Sequence, residues 1–565
     1  MIAIANCSGF LGDRLSAARE IVDAHREGRA HVDVLTGDWL AELTMGLLAT
    51  QRERDPARGY AATFVAQMTD VLADCLAAGI TVVANAGGLN PHGCAAAVEA
   101  LGTGARIAVV DGDDVTDRAA AELDETPVVA NAYLGCRGIV AALAAGADVV
   151  ITGRVTDAAV VLGPAAHHHG WGVDDLDALA GATAAGHVIE CGAQATGGNF
   201  SFAREIADLR RAGFPIAEIA ADGSAVITKP AGTGGAVTVE TVTAQLLYEI
   251  DGPRYPTPDV TARFDTLALH DDGPDRVRIS GAVGEPPPDT VKVGAVVPAG
   301  WHNEITLVIT GLDVEAKAQL ALDALWAAVP RDAFDRVATT LVRGDREDPK
   351  RLAEAVSFLR IAVAGDRRAV ARLSRAAVET ALASYPGFFA TSPPGPGSAA
   401  SVFRPVFLPA AEVPQRVTLD GAAWEVPAPS PIRAEGTLDR TDRATGPVAR
   451  FAGPSRRVPL GRVVGARSGD KGGNATLGLW ARTDEVHAWL ADVWTDPFVA
   501  DLLGPDAEGC ELRRWSLPNV RAVGVTVVGF LGRGVADNLS LDAQAKGLGE
   551  FVRARHVDVP EEWIP

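Results

Sequence analysis

Thr81-Val82-Val83-Ala84-Asn85-Ala86-Gly87-Gly88 decides the fold. Four residues suited to a buried strand end abruptly in a polar, glycine-rich turn. The stretch before them (Val65, Met68, Val71, Leu72, Cys75) has helical spacing. A strand fed by a helix and closed by small residues is half of a βαβ unit. The unit recurs on either side, with apolar runs at residues 2–5, 32–35, 106–110 and 148–151 and Ala- and Leu-rich helical segments between them. Right-handed βαβ units build a parallel sheet, and ligands of such sheets sit beyond the carboxyl ends of the strands. The polar clusters that fall there are Asn6-Cys7-Ser8-Gly9, Thr36-Gly37-Asp38-Trp39, Asn85-Ala86-Gly87-Gly88, Asp111-Gly112-Asp113-Asp114 and Thr152-Gly153-Arg154. They make Asp38, Asn85, Gly87, Gly88 and Arg154 candidate ligand contacts.

Composition narrows the function. The chain has 565 residues, 48% of them hydrophobic, enough for three to four domains with a sizeable core. Acidic residues number 72 against 51 basic ones, and the net charge of -21 disfavours nucleic acid and membrane surfaces as partners. Only six of the basic residues are lysines (Lys229, Lys292, Lys317, Lys350, Lys471, Lys546), so each lysine merits inspection. The first residues lack a basic n-region, and no run of about 18 apolar residues occurs. Six cysteines without a CxxC pair read as reduced thiols. These features predict a cytoplasmic protein with no metal site.

The fold class expected is α/β. It comprises a Rossmann-like parallel-sheet region within residues 1–260, an α+β continuation over 261–390 and a small α+β domain over 459–565. Strands are predicted at 290–297 and 304–311 in the continuation. Between the last two regions, at 391–458, prolines recur (Pro393-Pro394-Gly395-Pro396, Pro427-Ala428-Pro429-Ser430-Pro431), and the composition predicts a linker without a packed core.

Three strings carry possible chemistry. In residues 186–198, His187, Glu190 and Cys191 share one helical face, with Gln194 following. A carboxyl group beside an imidazole suits proton transfer near neutrality. The alternative is a buried His–Glu contact that closes a domain junction. Next, Lys229 precedes Gly232-Thr233-Gly234-Gly235 and a helix with Val239, Val242, Leu246 and Ile250 on one side. Free N–H groups, a helix N-terminus and an ammonium would cradle an anion, whereas an ordinary loop with Thr233 as N-cap explains the string equally well. Third, Arg467-Ser468-Gly469-Asp470-Lys471-Gly472-Gly473-Asn474 forms a loop between two strands. A turn needs its glycines but not Ser468, Asp470, Lys471 and Asn474 as well. His167-His168-His169 lacks a carboxylate at ligand spacing and reads as a solvated turn. The HExxH, GxSxG and GxGxxG signatures are absent.

The strings Gly37-Asp38-Trp39-Leu40-Ala41-Glu42, Asn85-Ala86-Gly87-Gly88-Leu89-Asn90-Pro91, Ala130-Asn131-Ala132-Tyr133-Leu134-Gly135 and Thr152-Gly153-Arg154-Val155-Thr156-Asp157 resemble the acyclic terpene utilisation protein family, AtuA. Residues 187–198, 229–235 and 255–261 do so too. Residues 468–474 with Leu517-Pro518-Asn519 resemble the AtuA ferredoxin-like domain. Asn90, Asn131 and Asp157, polar groups within these strings, join the candidate substrate contacts on physical grounds, beside Gln194, Thr233, Gly234, Gly235, Ser468 and Asn474. The resemblance implies a setting of branched acyl-CoA thioesters and a biotin-dependent acyl-CoA carboxylase, and it transfers no catalytic residue.

Three functions follow. The first is a lyase of the hydratase type acting on a branched or terpenoid acyl-CoA. It has His187, Glu190, Cys191, Lys229, Asp470 and Lys471 as catalytic candidates and needs no cofactor beyond the CoA moiety of the substrate. The second is a binding or assembly partner of the carboxylase. The third is an NAD(P)-dependent oxidoreductase, which the missing glycine fingerprint disfavours. Homo-oligomerisation stays open.

Overall fold

The computed structural model describes residues 1–429 and 453–564. Two compact units divide the chain. The first comprises Met1–Val296, Arg404–Phe530 and Gln544–Pro565, the second Val297–Phe403 and Leu531–Ala543.

In the first unit, strands β1 (Ile2–Asn6), β2 (Val34–Gly37), β3 (Thr81–Ala84), β4 (Ile107–Asp111), β5 (Val129–Ala132) and β6 (Val149–Thr152) follow in sequence. Five of them run parallel in the order β1-β2-β3-β6-β4. These are the five apolar runs of the sequence. Their alternate side chains enter different cores. Ile4, Val83 and Val150 meet helices Arg137–Ala144, Ala159–His169 and Leu176–Ile189 on one face. Ala5, Val82 and Ile151 meet helices Ala17–Arg26, Ala62–Ala78 and Pro91–Glu99 on the other. Burial on both faces explains why the strands read as unbroken apolar runs. Their order is not the 3-2-1-4-5-6 of doubly wound dinucleotide-binding folds. The fold is mixed α/β with a parallel core, and the Rossmann-like description does not carry over.

Antiparallel strands widen this sheet to eleven. Strand β7 (Ile216–Ile219) pairs with β1, followed by β8 (Ala225–Thr228), Val277–Ser280 and Ala268–Asp271. Beyond β4 lie Gln415–Leu419 and Ala422–Val426. Those two strands, and Ser398–Pro409 before them, correct the expectation of a coreless linker. Pro393, Pro394 and Pro396 lie in the loop before Ser398–Pro409, Pro409 ends that strand, and Pro414 and Pro427 flank the next two, where a missing N–H costs little. The alternation of buried Val417 and Leu419 with Arg416 and Thr418 is itself a strand pattern. The rest of the proline-rich segment, residues 430–452, lies outside the described residues.

The two strands predicted at 290–297 and 304–311 are one, Thr290–Thr310. Val293–Val296 pair with β5 in the first unit. In the second unit, residues 301–310 pair with Val356–Gly365, which pairs with Arg336–Val342. Helices Val314–Ala328 and Arg367–Glu379 bury Leu325 and Leu373 against Ile305, Leu359 and Ile361. The fully buried Asp537 fastens Leu531–Ala543 to this unit through His302 Nε2 at 3.2 Å, Arg533 Nε at 3.1 Å and the Arg336 guanidinium.

Near the C-terminus, strands Val464–Lys471, Asn474–Ala481, Ala522–Val528 and Glu511–Leu517 form an antiparallel sheet in that order. Helices Asp484–Val493 and Asp496–Leu503 accompany it. Ser468–Lys471 belong to the hairpin strand rather than to a loop, which shrinks to Gly472-Gly473.

Candidate active site

Helix Leu176–Ile189 reads LDALAGATAAGHVI, and every residue from Leu179 to Ile189 is buried. A helix apolar all round is a core helix. Its small residues let neighbouring backbone approach: a Cβ on Gly181 would lie 2.8 Å from the carbonyl carbon of Gly223. This helix carries His187 into the interior, where it is 1% exposed and Glu190 is 6% exposed. His187 Nδ1 lies 3.1 Å from Glu190 Oε1. Neither ring nitrogen nor Glu190 Oε2 completes a well-aligned hydrogen bond among the described residues. Tyr255 and Phe264 pack on the imidazole, with ring centroids 5.0 and 5.5 Å away. Burial, reinforced by Lys471, pushes the His187 pKa down to about 4. Burial, then Asp157 and Glu249, push the Glu190 carboxyl well up. Both shifts favour the uncharged forms, a neutral imidazole beside a carboxyl group that holds its proton more tightly than usual, an arrangement suited to acid–base chemistry.

The carboxyl ends of the parallel strands surround the pair. The Asn6 side chain, at the end of β1, donates to the Glu190 carbonyl at 3.1 Å. Gly9 permits a close passage, because its Cβ would fall 2.5 Å from the Cys191 carbonyl carbon. After β2 and β3, the Asn85 amide donates to Asp38, and its oxygen accepts from Trp39 N at 2.8 Å. Burial and Asp157 push the Asp38 carboxyl up. After β6, Arg154 bonds Asp157 at 2.7 Å and stacks 4.1 Å from the Tyr133 ring centre. Cys191 stays a thiol: burial, then Glu190 and Glu249, raise its pKa.

The small C-terminal sheet completes the cluster. Lys471 Nζ donates to the Glu249 carbonyl at 2.9 Å and lies 5.7 Å from the Tyr255 ring centre. Lys546 Nζ bonds the Tyr248 hydroxyl and lies 3.1 Å from Glu249 and 3.3 Å from Asp470. Arg467 stacks 4.4 Å from the Tyr248 ring centre and donates to Gln194. Ser468 Oγ donates to the Ala545 carbonyl at 2.7 Å and accepts from Gly549 N at 2.8 Å. Lys292 Nζ lies 3.6 Å from Glu42 and 4.9 Å from the Tyr133 ring centre. The cluster runs from the buried His187 outwards to Lys546, whose side chain is 40% exposed.

The structure thus brings together His187, Glu190, Cys191, Asp38, Asn85, Arg154, Asp157, Gln194, Ser468, Asp470 and Lys471. Other candidates serve locally. Lys229 Nζ is held by the Thr233 carbonyl and by Asp275, both at 2.9 Å. The anion cradle expected there is corrected: the N–H groups of Thr233, Gly234 and Gly235 are bonded to Pro230, Arg211 and Asp208 carbonyls. Thr233 is not an N-cap either; Thr238 caps helix Val239–Leu246. Asn90 caps helix Pro91–Glu99 and holds the Ala57 and Arg58 carbonyls. Gly87 and Gly88 shape that turn. Asn131 donates to Asp113 at 2.8 Å, and Asn474 accepts from Gly529 N at 3.0 Å.

Sequence reasoning missed Tyr248, Glu249 and Tyr255 and left Tyr133, Glu42, Lys292 and Lys546 unassigned. Rarity was the available signal. Three of the six lysines and three of the five tyrosines in the chain meet in this one cluster. Among the described residues, no group of three or more His, Cys, Asp or Glu is arranged to hold a metal ion. No described helix is long and apolar enough to cross a membrane.

Fold and site define a class: an α/β protein with a parallel core, whose buried His–Glu pair lies in a cluster joined by groups from a small α+β domain. Residues 2–419 match the model of the acyclic terpene utilisation family protein AtuA, and residues 458–558 match that of the AtuA ferredoxin-like domain. The chain belongs to the AtuA family. No curated protein and no solved structure matches it.

Proposed function

We propose that the protein is an enzyme of acyclic terpene or branched-acid metabolism that adds water to, or removes it from, a branched acyl-CoA thioester. The observation that carries this reading is the buried His187–Glu190 pair, Nδ1 3.1 Å from Oε1, in an interior that favours the uncharged form of each group. In the hydration direction, His187 takes a proton from water, whose oxygen bonds C3 of an α,β-unsaturated thioester. The C2=C3 electron pair moves to the thioester oxygen, and Glu190 then protonates C2 as the carbonyl re-forms. Imidazolium and carboxylate are left 3.1 Å apart, and direct proton return restores the pair.

Developing charge on the thioester oxygen needs donors. Tyr255, whose ring packs on the imidazole, and Lys471, 5.7 Å from the centre of that ring, can supply them. Lys229 is not used, because Asp275 and Thr233 already hold it. The CoA phosphates need positive charge in a chain of net charge -21, and Lys546 stands on the exposed side. The test is substitution. Glu190→Gln and His187→Ala should each lower turnover about 10²- to 10⁴-fold with folding retained. Unchanged turnover in both would remove the pair from the mechanism.

A further inference from the structure

The apolar face of helix Val239–Leu246 suggests a helix continuing through Ile250, but the helix ends at Leu246 and Glu249 adopts φ 56°. A Cβ disfavours that left-handed region, and glutamate stands there although glycine is the residue suited to it. Backbone held in such a region by a polar residue points to work for its side chain. The Glu249 carbonyl accepts from Lys471 at 2.9 Å, and its carboxylate lies 3.1 Å from Lys546. Facing it, Ala545, the residue before Lys546, is also left-handed, at φ 52°. The hairpin lies flush on this turn, since a Cβ on Gly469 would fall 2.7 Å from the Tyr248 ring and 3.0 Å from Glu249 Cγ.

We propose that Glu249 is a positioning residue: its left-handed backbone aims its carbonyl at Lys471 and its carboxylate at Lys546, fixing Lys471 beside the His187–Glu190 pair and Lys546 at the outer end of the cluster. The role rests on the acid–base reading above. Groups facing Glu249 are Asp470 and Lys471 of the hairpin, Lys546 of the C-terminal segment, and Tyr248 and Tyr255 of its own segment. Glu42, His187, Glu190 and Cys191 face it from the other elements.

Cys191 provides a readout that needs no turnover. After burial and Glu190, Glu249 raises its thiol pKa, whereas Cys510 is raised by burial alone. The experiment is iodoacetamide alkylation of the full chain, with both cysteines followed by peptide mass mapping, in wild type, Glu249→Gln and Glu249→Gly. Cys191 should react roughly two- to tenfold faster relative to Cys510 in both variants. Glu249→Gly, which relieves the backbone, should melt at least as high as Glu249→Gln. An unchanged Cys191 to Cys510 ratio, or a Glu249→Gly chain melting well below Glu249→Gln, overturns the proposal. With a turned-over substrate, Glu249→Gln should move the basic limb of the pH profile to lower pH, because Glu190 loses a neighbouring negative charge. An unmoved limb also overturns it. If no acyl-CoA is converted by the wild type, the acid–base reading fails alone, and labelling and melting still decide the role of Glu249.

Discussion

His187 titrates away from its ordinary range because the protein buries it, and that has a signed consequence for stability. Its pKa falls from 6.5 to about 4, so between those values the folded chain binds fewer protons than the unfolded one. Its contribution is complete above pH 6.5 and is lost as pH falls through about 4. His187→Gln should flatten the fall in stability between pH 7 and pH 4 by on the order of 3 kcal/mol, read by urea unfolding at both values. Glu190 works in the opposite sense. With its pKa raised from 4.5, its contribution is complete below that value and is lost as pH rises through the folded value. Glu190→Gln should therefore gain on the wild type as pH rises from 5 to 8 in the same assay.

At the scale of elements, the buried helix Leu176–Ile189 sets the position of the pair, and its packing depends on Gly181 against Gly223. Gly181→Val should lower stability by about 1–3 kcal/mol through overpacking. It should also reduce turnover, although residue 181 touches neither His187 nor Glu190. Retained stability with the larger side chain would show that the helix has room to shift. The five parallel strands were legible because burial on both faces leaves an unbroken apolar run. The strands at 415–426 were hidden by prolines, although Val417 and Leu419 mark the alternation. The His187–Glu190 contact was legible from its i, i+3 spacing. Glu249 was not, because the apolar face through Ile250 reads as more helix, and only three-dimensional structure reveals the left-handed turn. Lys229 looked like an anion site for the converse reason: sequence shows an ammonium and glycines but not the carbonyls that occupy the amides.

At the scale of the whole molecule, the C-terminal hundred residues serve both compact units. They provide Arg467, Asp470, Lys471 and Lys546 to the first and Leu531–Ala543 to the second. In the second unit Asp537 is fully buried, while its partners His302, Arg336 and Arg533 reach the surface. Asp537→Ala removes the hydrogen-bonded contacts of partners that keep access to water and should cost about 1–3 kcal/mol. Calorimetry should show the loss, and no shift in melting would mean that the segment docks without it. The central claim is that the interior pair moves protons for addition or removal of water. Incubating the full chain with a panel of branched enoyl- and 3-hydroxyacyl-CoA thioesters, followed by mass spectrometry, tests it most directly. The account predicts a gain or loss of about 18 mass units, one water, for at least one member with wild type, abolished by Glu190→Gln. No mass change across the panel, or an equal change with Glu190→Gln, would contradict it.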